Sequence, residues 1–271
     1  MAKTQLNAAV TGREEIAPGT IILRVAPVGW ELPAFNPGQF TVLGLPGSAP
    51  RCPGSDPDAQ EIPQDKLILR AYSIASSSVA KEYMEFYITL VRSGELTPRL
   101  FQLKIGDKLW LQKKVTGFFT LETVPREANV ILVATGTGLA PYMSMIRSEL
   151  ARNTNRRYAV IHGAYHSWDL GYRQELETLR GLSSVFTYIP VISDPQDEPV
   201  PWHGETGFVQ HVWNKRMIEK AWGLTPTPEN THVFLCGNPA MVEDMEKILS
   251  KEGFTEHTRK SPGTYHLERY W

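Results

Sequence analysis

Short apolar stretches with alternating polar positions fill residues 1 to about 122, and glycines and prolines separate them. Such alternation is typical of β-strands that bury one face. Many short strands joined by turns favour an antiparallel β-barrel. The predicted strands of this region are residues 19–25, 38–43, 67–73 and 83–90. We therefore expect a β-barrel domain over residues 1–124.

The pattern changes after Pro125, where fully apolar runs alternate with helical stretches. Strands that are apolar on both faces and alternate with helices are typical of a parallel α/β sheet. The predicted strands are residues 130–134, 158–163, 185–192 and 232–236, and the clearest predicted helix is residues 141–152. We therefore expect a Rossmann-like α/β domain over residues 125–271.

Charge and cysteine content narrow the class of protein. The 271 residues carry 28 Lys and Arg against 29 Asp and Glu, a balance that does not favour binding of nucleic acid or a membrane surface. With only Cys52 and Cys236 present, we expect no iron–sulfur cluster, zinc site or disulfide framework. The N-terminal stretch lacks a signal-peptide core, and no apolar run approaches the roughly 18 residues that span a bilayer. We therefore expect a soluble cytoplasmic protein without a metal site.

A glycine-rich segment, Gly136-Thr137-Gly138-Leu139-Ala140-Pro141, directly follows a predicted strand and opens a helix. Glycine lets a ligand approach the backbone closely, and the amides at the start of a helix attract phosphate. The segment therefore suits the pyrophosphate of a dinucleotide. The alternative is a strand-to-helix turn that binds nothing, because two glycines alone are a weak signal.

Residues 94–100 predict a short helix inside the barrel region. Thr97 suits the N-cap of this helix and Pro98 its first position, and a helix start is a plausible place for a phosphate. The alternative is a capped connector helix without a ligand.

The strand that ends in Arg70-Ala71-Tyr72-Ser73 is the second candidate in the barrel. Strand alternation places Arg70 and Tyr72 on one face and Ser73 on the other. Arg70 offers a fork for phosphate and Tyr72 an aromatic platform. A surface arginine followed by a core tyrosine is the alternative.

Taken together and in this order, these segments resemble the ferredoxin–NADP reductase family, in particular its bacterial members. The matching segments are residues 70–76, 94–100, 113–117, 134–141, 235–241 and 267–271. The resemblance implies an N-terminal FAD-binding barrel and a C-terminal dinucleotide domain. It also implies an oxidoreductase that exchanges electrons between NADH or NADPH and a one-electron carrier such as ferredoxin or flavodoxin.

The resemblance assigns roles to individual residues. Arg70 and the amides around Leu96 and Thr97 would hold the FAD diphosphate, Tyr72 would stack on the isoalloxazine, and Ser73 would hydrogen-bond near the flavin N5. The implied cofactor-binding positions are Arg70, Ala71, Tyr72, Ser73, Leu96, Thr97, Thr116, Gly117, Thr135, Gly136, Thr137, Gly138, Pro141, Asp194, Cys236, Gly237, Tyr270 and Trp271.

The implied catalytic group is Ser73, Cys236 and Glu268. Cys236 would lie beside the nicotinamide, and Glu268 would serve proton supply and cleft polarity. At the chain end, Tyr270 would cover the second flavin face and Trp271 would pack on the adenine, although such a pair could also be a frayed tail.

The chain departs from the family at the dinucleotide. Members that use NADP place arginines for the 2′-phosphate at three positions, which here are Tyr165, Asp194 and Phe208. The sequence therefore favours NADH. Four nearby cationic side chains could rebuild a phosphate site or be solvated surface charges: Arg156, Arg157, His166 and Arg173.

Two further features concern partners. Residues 46–65 form a connection longer than in the family, and it could be a partner-docking loop or a neutral insertion. We expect an acidic carrier to dock on basic residues, for which the candidates are Arg99, Lys113, Lys114, Arg259 and Lys260. The alternatives to this function are a reductase component of an oxygenase, a free-flavin reductase and a non-enzymatic redox-sensing flavoprotein.

Overall fold

A computed structural model describes residues 5–150 and 156–269 of the chain. The residues form two compact units. Of the described residues, the first unit contains 5–120 together with the helix that begins at Ala140, and the second contains Leu121–Leu139 and 156–269. The predicted division at residues 124 and 125 stays a prediction.

The first unit is built on an antiparallel sheet, as expected for a barrel. Its strands are β1 (Ala8–Ala17), β2 (Thr20–Pro27), β3 (Phe40–Pro46), β4 (Leu67–Ser73), β5 (Met84–Thr89) and β6 (Lys108–Leu111). They are hydrogen-bonded in the order β4-β3-β6-β1-β2-β5. Just beyond β4, the Ala75 amide donates to the Glu85 carbonyl at 2.8 Å, which joins the two outer strands.

Alternation along the strands places the core of this unit. In β2, Ile21, Leu23 and Val25 are fully buried while Arg24 is exposed. Burial of each such aliphatic side chain stabilises the fold by about 1.5–3 kcal/mol. A short helix, α1 (Thr97–Gln102), adds Leu100 to the same core.

The cap of α1 differs from the prediction. Leu96, not Thr97, is the N-cap residue, and no side chain caps the helix. The Thr97 hydroxyl instead accepts from the Val91 amide and donates to the Val91 carbonyl, both at 3.0 Å. A side chain that satisfies a neighbouring loop in this way is not available to the helix amides.

The second unit contains the predicted parallel sheet. Its strands are β7 (Asn129–Thr135), β8 (Tyr158–Ala164), β9 (Phe186–Ile192), β10 (Glu205–Thr206), β11 (Thr231–Cys236) and β12 (Tyr265–Glu268). Their order is β10-β9-β8-β7-β11-β12, and every pairing is parallel. The chain order therefore reverses between β7 and β11, and ligands of open α/β sheets bind at the carboxyl ends of the strands at such a point.

Helices complete both units. They are α2 (Ala140–Glu149) in the first unit, and α3 (Arg173–Leu182), α4 (Val209–Asn214), α5 (Met217–Trp222) and α6 (Pro239–Lys251) in the second. None of the helices in the described residues is long and apolar enough to cross a bilayer.

Candidate functional site

Arg70 and the segment 94–97 lie together in the first unit. Arg70 lies in the middle of β4 and is about half exposed. Its Nη2 donates to the Glu95 carboxylate at 2.6 Å, and its Nη1 donates to the Leu69 carbonyl at 2.8 Å. The two barrel segments expected to serve an anion are thus in contact.

Tyr72 and Ser73 follow on the same strand. Tyr72 is half-buried and meets Phe86 edge to face, with ring centroids 6.5 Å apart. Burial raises the pKa of the Tyr72 hydroxyl well above its ordinary value, so the ring stays neutral. Ser73 is buried, and Ala71 is exposed. Tyr72 is therefore not the fully buried core residue of the alternative interpretation.

The strand β3 brings Thr116 and Gly117 close to the end of β4. Phe40 pairs with Ser73 on one side and forms two backbone hydrogen bonds with Thr116 on the other, of 2.8 and 3.0 Å. Gly117 has φ of +131°, a conformation that a side chain disfavours, and its carbonyl accepts from the Gln39 amide group at 3.1 Å. The expected flavin residues of three separate segments are therefore neighbours.

Arg99 is not a docking residue, and that expectation is wrong. Only 3% of its side chain is exposed. Its two terminal nitrogens donate to both oxygens of Asp58, and also to the carbonyls of Glu95 and Gly47. A guanidinium enclosed in this way cannot contact a protein partner.

In the second unit, two turns meet at the reversal of strand order. The Asn238 amide, after β11, donates to Thr135 Oγ1 at the end of β7, at 2.7 Å. A Cβ on Gly138 would clash with the Cys236 carbonyl, and a Cβ on Gly237 would clash with Thr135 Oγ1. Glycine is therefore required at both positions for the two turns to pack.

The β7 turn also leaves room for a ligand. Gly136 has φ of +53°, and a Cβ there would meet no atom within 4 Å. The residues Gly136–Leu139 form a 3₁₀ turn before α2 starts at Ala140, with Pro141 buried in its first turn. The α-helix thus begins one residue before the predicted start at Pro141, within the glycine-rich segment. An exposed glycine backbone at a switch point fits the close approach of a pyrophosphate.

Cys236 and Glu268 lie side by side at the same edge. They are register partners on the parallel strands β11 and β12. Cys236 is fully buried and Glu268 is half-buried. Tyr270 and Trp271, which follow, lie outside the described residues.

The sequence interpretation missed Asn238, which caps α6. Its side-chain oxygen accepts from the Ala240 and Met241 amides at 2.8 and 3.4 Å. An asparagine directly before Pro239 is a helix-start signal that could have found it. It also missed Glu95 and Asp58, which no sequence spacing links to their arginine partners.

Carboxylates gather around the loops after β8 and β9. Asp194 is half-buried and accepts from the Ser193 hydroxyl at 2.6 Å, a hydrogen bond that lowers the pKa of Asp194. His166 lies 3.0 Å from Asp169 and 3.6 Å from Asp197, and the bond to Asp169 holds the pKa of His166 above its ordinary value. The imidazole is thus already engaged by carboxylates.

The arginines that lie near this region in sequence make contacts of their own. Arg156 is buried and donates to the carbonyls of Val124 and Pro125, and Arg157 donates to the Trp222 carbonyl. Arg156 is therefore not a solvated surface charge, and both guanidinium groups are engaged by backbone carbonyls. Arg173 lies over the Trp202 ring, 4.6 Å from its centroid. Tyr165 and Phe208 are exposed.

Comparison with known proteins places the chain in a family. Residues 58–117 match the oxidoreductase FAD-binding domain, and residues 132–247 match the oxidoreductase NAD-binding domain. The flavodoxin/ferredoxin–NADP reductase of Buchnera aphidicola is 30% identical over 238 residues, and that of Escherichia coli is 32% identical over 242 residues. Each alignment covers 88% of both proteins.

Solved structures share the fold. The crystal structure of a ferredoxin NADP⁺ reductase from Neisseria gonorrhoeae superimposes with a TM-score of 0.79 at 24% identity, over 98% of both chains. With the two domain matches and the relatives above, this chain belongs to the ferredoxin (flavodoxin)–NADP reductase family, whose members are FAD-dependent oxidoreductases.

Proposed function

We propose that this protein transfers electrons from NADH, through FAD, to a one-electron carrier such as ferredoxin or flavodoxin. The observation that carries the proposal is the convergence of Gly136, Gly138, Cys236 and Glu268 where the parallel sheet reverses its strand order. FAD supplies the hydride acceptor chemistry when bound, and the protein contributes alignment and electrostatics.

The barrel residues suit a flavin. Arg70 and the backbone of Leu96 and Thr97 would hold the diphosphate, because a guanidinium fork matches phosphate geometry. Tyr72 would stack on the isoalloxazine, and its raised pKa keeps the phenol neutral against the ring system. Ser73, beside the Phe40 and Thr116 ladder, would hydrogen-bond near the flavin N5.

The second unit would bind the dinucleotide. The turn Thr135–Gly138 would hold the pyrophosphate against the exposed backbone of Gly136, and Gly237 lets the β11 turn pack closely against Thr135 beside it. Cys236 would flank the nicotinamide, while the Glu268 carboxylate would hold or move a proton beside it. Side chains of paired residues on parallel strands project from the same face of the sheet, which supports a joint role.

The carboxylates around β8 and β9 support NADH. Asp194 lies at a position where NADP-using members of the family place an arginine, and it is negatively charged. A 2′-phosphate would meet this charge, whereas a free ribose 2′-hydroxyl could donate a hydrogen bond to it. The other two positions, Tyr165 and Phe208, provide no cation either. The names of the relatives specify NADP, so this preference separates the chain from them.

An acidic carrier would dock on exposed basic residues. Lys113 and Lys114 adjoin the Thr116 and Gly117 positions of the flavin site, and Arg259 and Lys260 precede β12. Lys113 lies 5.4 Å from the centroid of the Trp30 ring, which leaves its charge at the surface. Docking by charge of this kind raises association rates.

The purified holoprotein tests the proposal by stopped-flow absorbance. We expect one FAD per chain, rapid bleaching of the flavin by NADH, and reoxidation by added ferredoxin or flavodoxin. Flavin that NADH does not reduce, or reduced flavin that passes electrons only to free flavin or oxygen, would overturn the proposal.

A further inference from the structure

The loop between β3 and β4, residues 47–66, is fastened to α1 by a charged contact. Asp58, in the middle of the loop, accepts from the two terminal nitrogens of Arg99 at 2.9 and 2.6 Å. Arg51, from the same loop, also donates to Asp58 Oδ1, at 2.5 Å, so this oxygen accepts from both arginines. Arg99 is a residue of α1 and is almost fully buried, so this is an enclosed bidentate ion pair.

Further contacts hold the loop on α1 and on the segment that precedes it. The Cys52 amide donates to the Pro98 carbonyl at 2.9 Å, and the Asp56 amide donates to the Arg92 carbonyl at 3.1 Å. Gly47, at the base of the loop, accepts from Arg99 at 2.9 Å. The loop therefore covers the helix and does not extend freely into solvent.

A chain of contacts leads from the loop to Arg70. Arg99 donates to the Glu95 carbonyl at 2.6 Å, which fixes the backbone directly before α1. The Glu95 carboxylate in turn accepts from Arg70 Nη2 at 2.6 Å. Each step is a charge-assisted hydrogen bond, the stronger class of such bonds.

We propose that Asp58 is a positioning residue for FAD binding: through Arg99 and Glu95 it fixes Arg70 and residues 94–97 in the arrangement that receives the flavin diphosphate. This inference rests on the proposed flavin site. The loop that exceeds the family's length is then neither a docking arm nor a neutral insertion but a brace for that site.

Asp58 has this effect because it is the counter-ion of the enclosed charge of Arg99. Without the Asp58 carboxylate, a buried guanidinium loses its counter-ion and must turn towards other acceptors or water. The Glu95 carbonyl is its other anchor near Arg70, so this backbone would shift with it. Such a shift of the backbone would weaken the bidentate contact of Arg70 with a phosphate more than it would weaken contacts with the isoalloxazine.

The test measures the dissociation constant of FAD from apoprotein by fluorescence quenching. Asp58→Asn should weaken FAD binding about tenfold, and Asp58→Glu should recover most of the loss by restoring the carboxylate. Asp56→Asn is the matched control, because Asp56 is an exposed carboxylate in the same loop. It should bind FAD as the wild type does.

Two more variants separate the possible outcomes. Arg70→Ala tests the flavin site itself and should weaken FAD binding whatever the loop does. Arg51→Met removes the second donor to Asp58 Oδ1 and should weaken FAD binding about threefold, so it carries the test if Asp58→Asn does not fold.

Wild-type affinity in folded Asp58→Asn with weakened binding in Arg70→Ala would overturn the brace while leaving the flavin site intact. Wild-type affinity in Arg70→Ala would overturn the proposed site. Equal weakening in Asp58→Asn and Asp58→Glu would also overturn the brace, since the carboxylate would not be its active part. If Asp58→Asn does not fold, wild-type affinity in Arg51→Met would overturn the brace.

Discussion

Cys236 and Glu268 are register partners at the carboxyl ends of two adjacent parallel strands, β11 and β12. Neighbouring strands lie about 4.8 Å apart and paired side chains share a face, so the thiol and the carboxylate flank one surface of the sheet. Cys236 is fully buried while Glu268 keeps partial access to solvent. The half-buried partner is thus the one able to exchange a proton with water.

Replacing Glu268 by Gln should lower kcat on the order of tenfold to a hundredfold with little change in FAD content. The amide keeps the shape but cannot hold or move a proton, and positioned proton transfer contributes at least that much. Steady-state kinetics with NADH and a carrier measure it. Glu243→Gln, an exposed residue on α6, is the control and should keep wild-type kcat. An unchanged kcat in Glu268→Gln would remove Glu268 from the catalytic group.

Deleting Tyr270 and Trp271 should loosen FAD and tighten nicotinamide binding. The tail is expected to cover the flavin face that the nicotinamide must use, so its removal ends that competition. Titration of the truncated protein with FAD and with NAD⁺ measures both affinities. If neither affinity changes, Tyr270 and Trp271 do not contribute to binding FAD or compete with the nicotinamide.

Acid should destabilise the protein through buried histidines. Burial lowers the pKa of His162 and of His266 to about 3 and that of His232 to about 4, from an ordinary value of 6.5. The unfolded chain therefore takes up protons first, and the stability that neutral histidines contribute above pH 6.5 is lost as the pH falls. For His162 alone, the loss between pH 6.5 and 5 is about 2 kcal/mol.

Urea unfolding at pH 7.5 and pH 5 checks this prediction. In His162→Leu, the drop in free energy of unfolding between the two pH values should be smaller by about 2 kcal/mol. His203→Gln, at an exposed position, should keep the wild-type drop. An identical drop in wild type and His162→Leu would show that His162 is protonated without penalty.

Carrier reduction should slow as salt rises. Lys113 and Lys114 would attract an acidic carrier electrostatically. The screening length that limits this attraction falls from about 30 Å at 0.01 M salt to about 8 Å at 0.15 M. The second-order rate constant should therefore fall severalfold over this range, and less in the double variant Lys113→Ala, Lys114→Ala. A rate that does not depend on ionic strength would place the carrier on a different surface.

The regular parts of the fold were predictable because local pattern decides them. The predicted strand 67–73 coincides with β4, and the buried runs 130–134 and 232–236 lie within β7 and β11. β1 was missed because Arg13, Glu14 and Glu15 interrupt its apolar alternation, although pairing with β2 keeps them in the strand. β12 has four residues and forms its backbone hydrogen bonds with β11 and with residues 255–257, neither of which its own sequence predicts.

The site was predictable in part for the same reason. Glycines directly after a strand and an arginine on an alternating strand are local signals, and they marked Gly136, Gly138 and Arg70. The partners that fix these side chains are not local: Glu95 lies 25 positions from Arg70, and Asp58 lies 41 positions from Arg99. Only the folded chain brings such charges together, so Arg99 was mistaken for a surface residue.

The most direct test of the proposed preference for NADH is the ratio of kcat/KM for NADH to that for NADPH, measured with one electron acceptor. Asp194 and the neighbouring carboxylates should repel a 2′-phosphate, which brings close to two negative charges. Arg156 and Arg157 are bound to backbone carbonyls and are not available to compensate. We predict a ratio above one. A ratio that favours NADPH by more than tenfold would contradict the proposed preference for NADH.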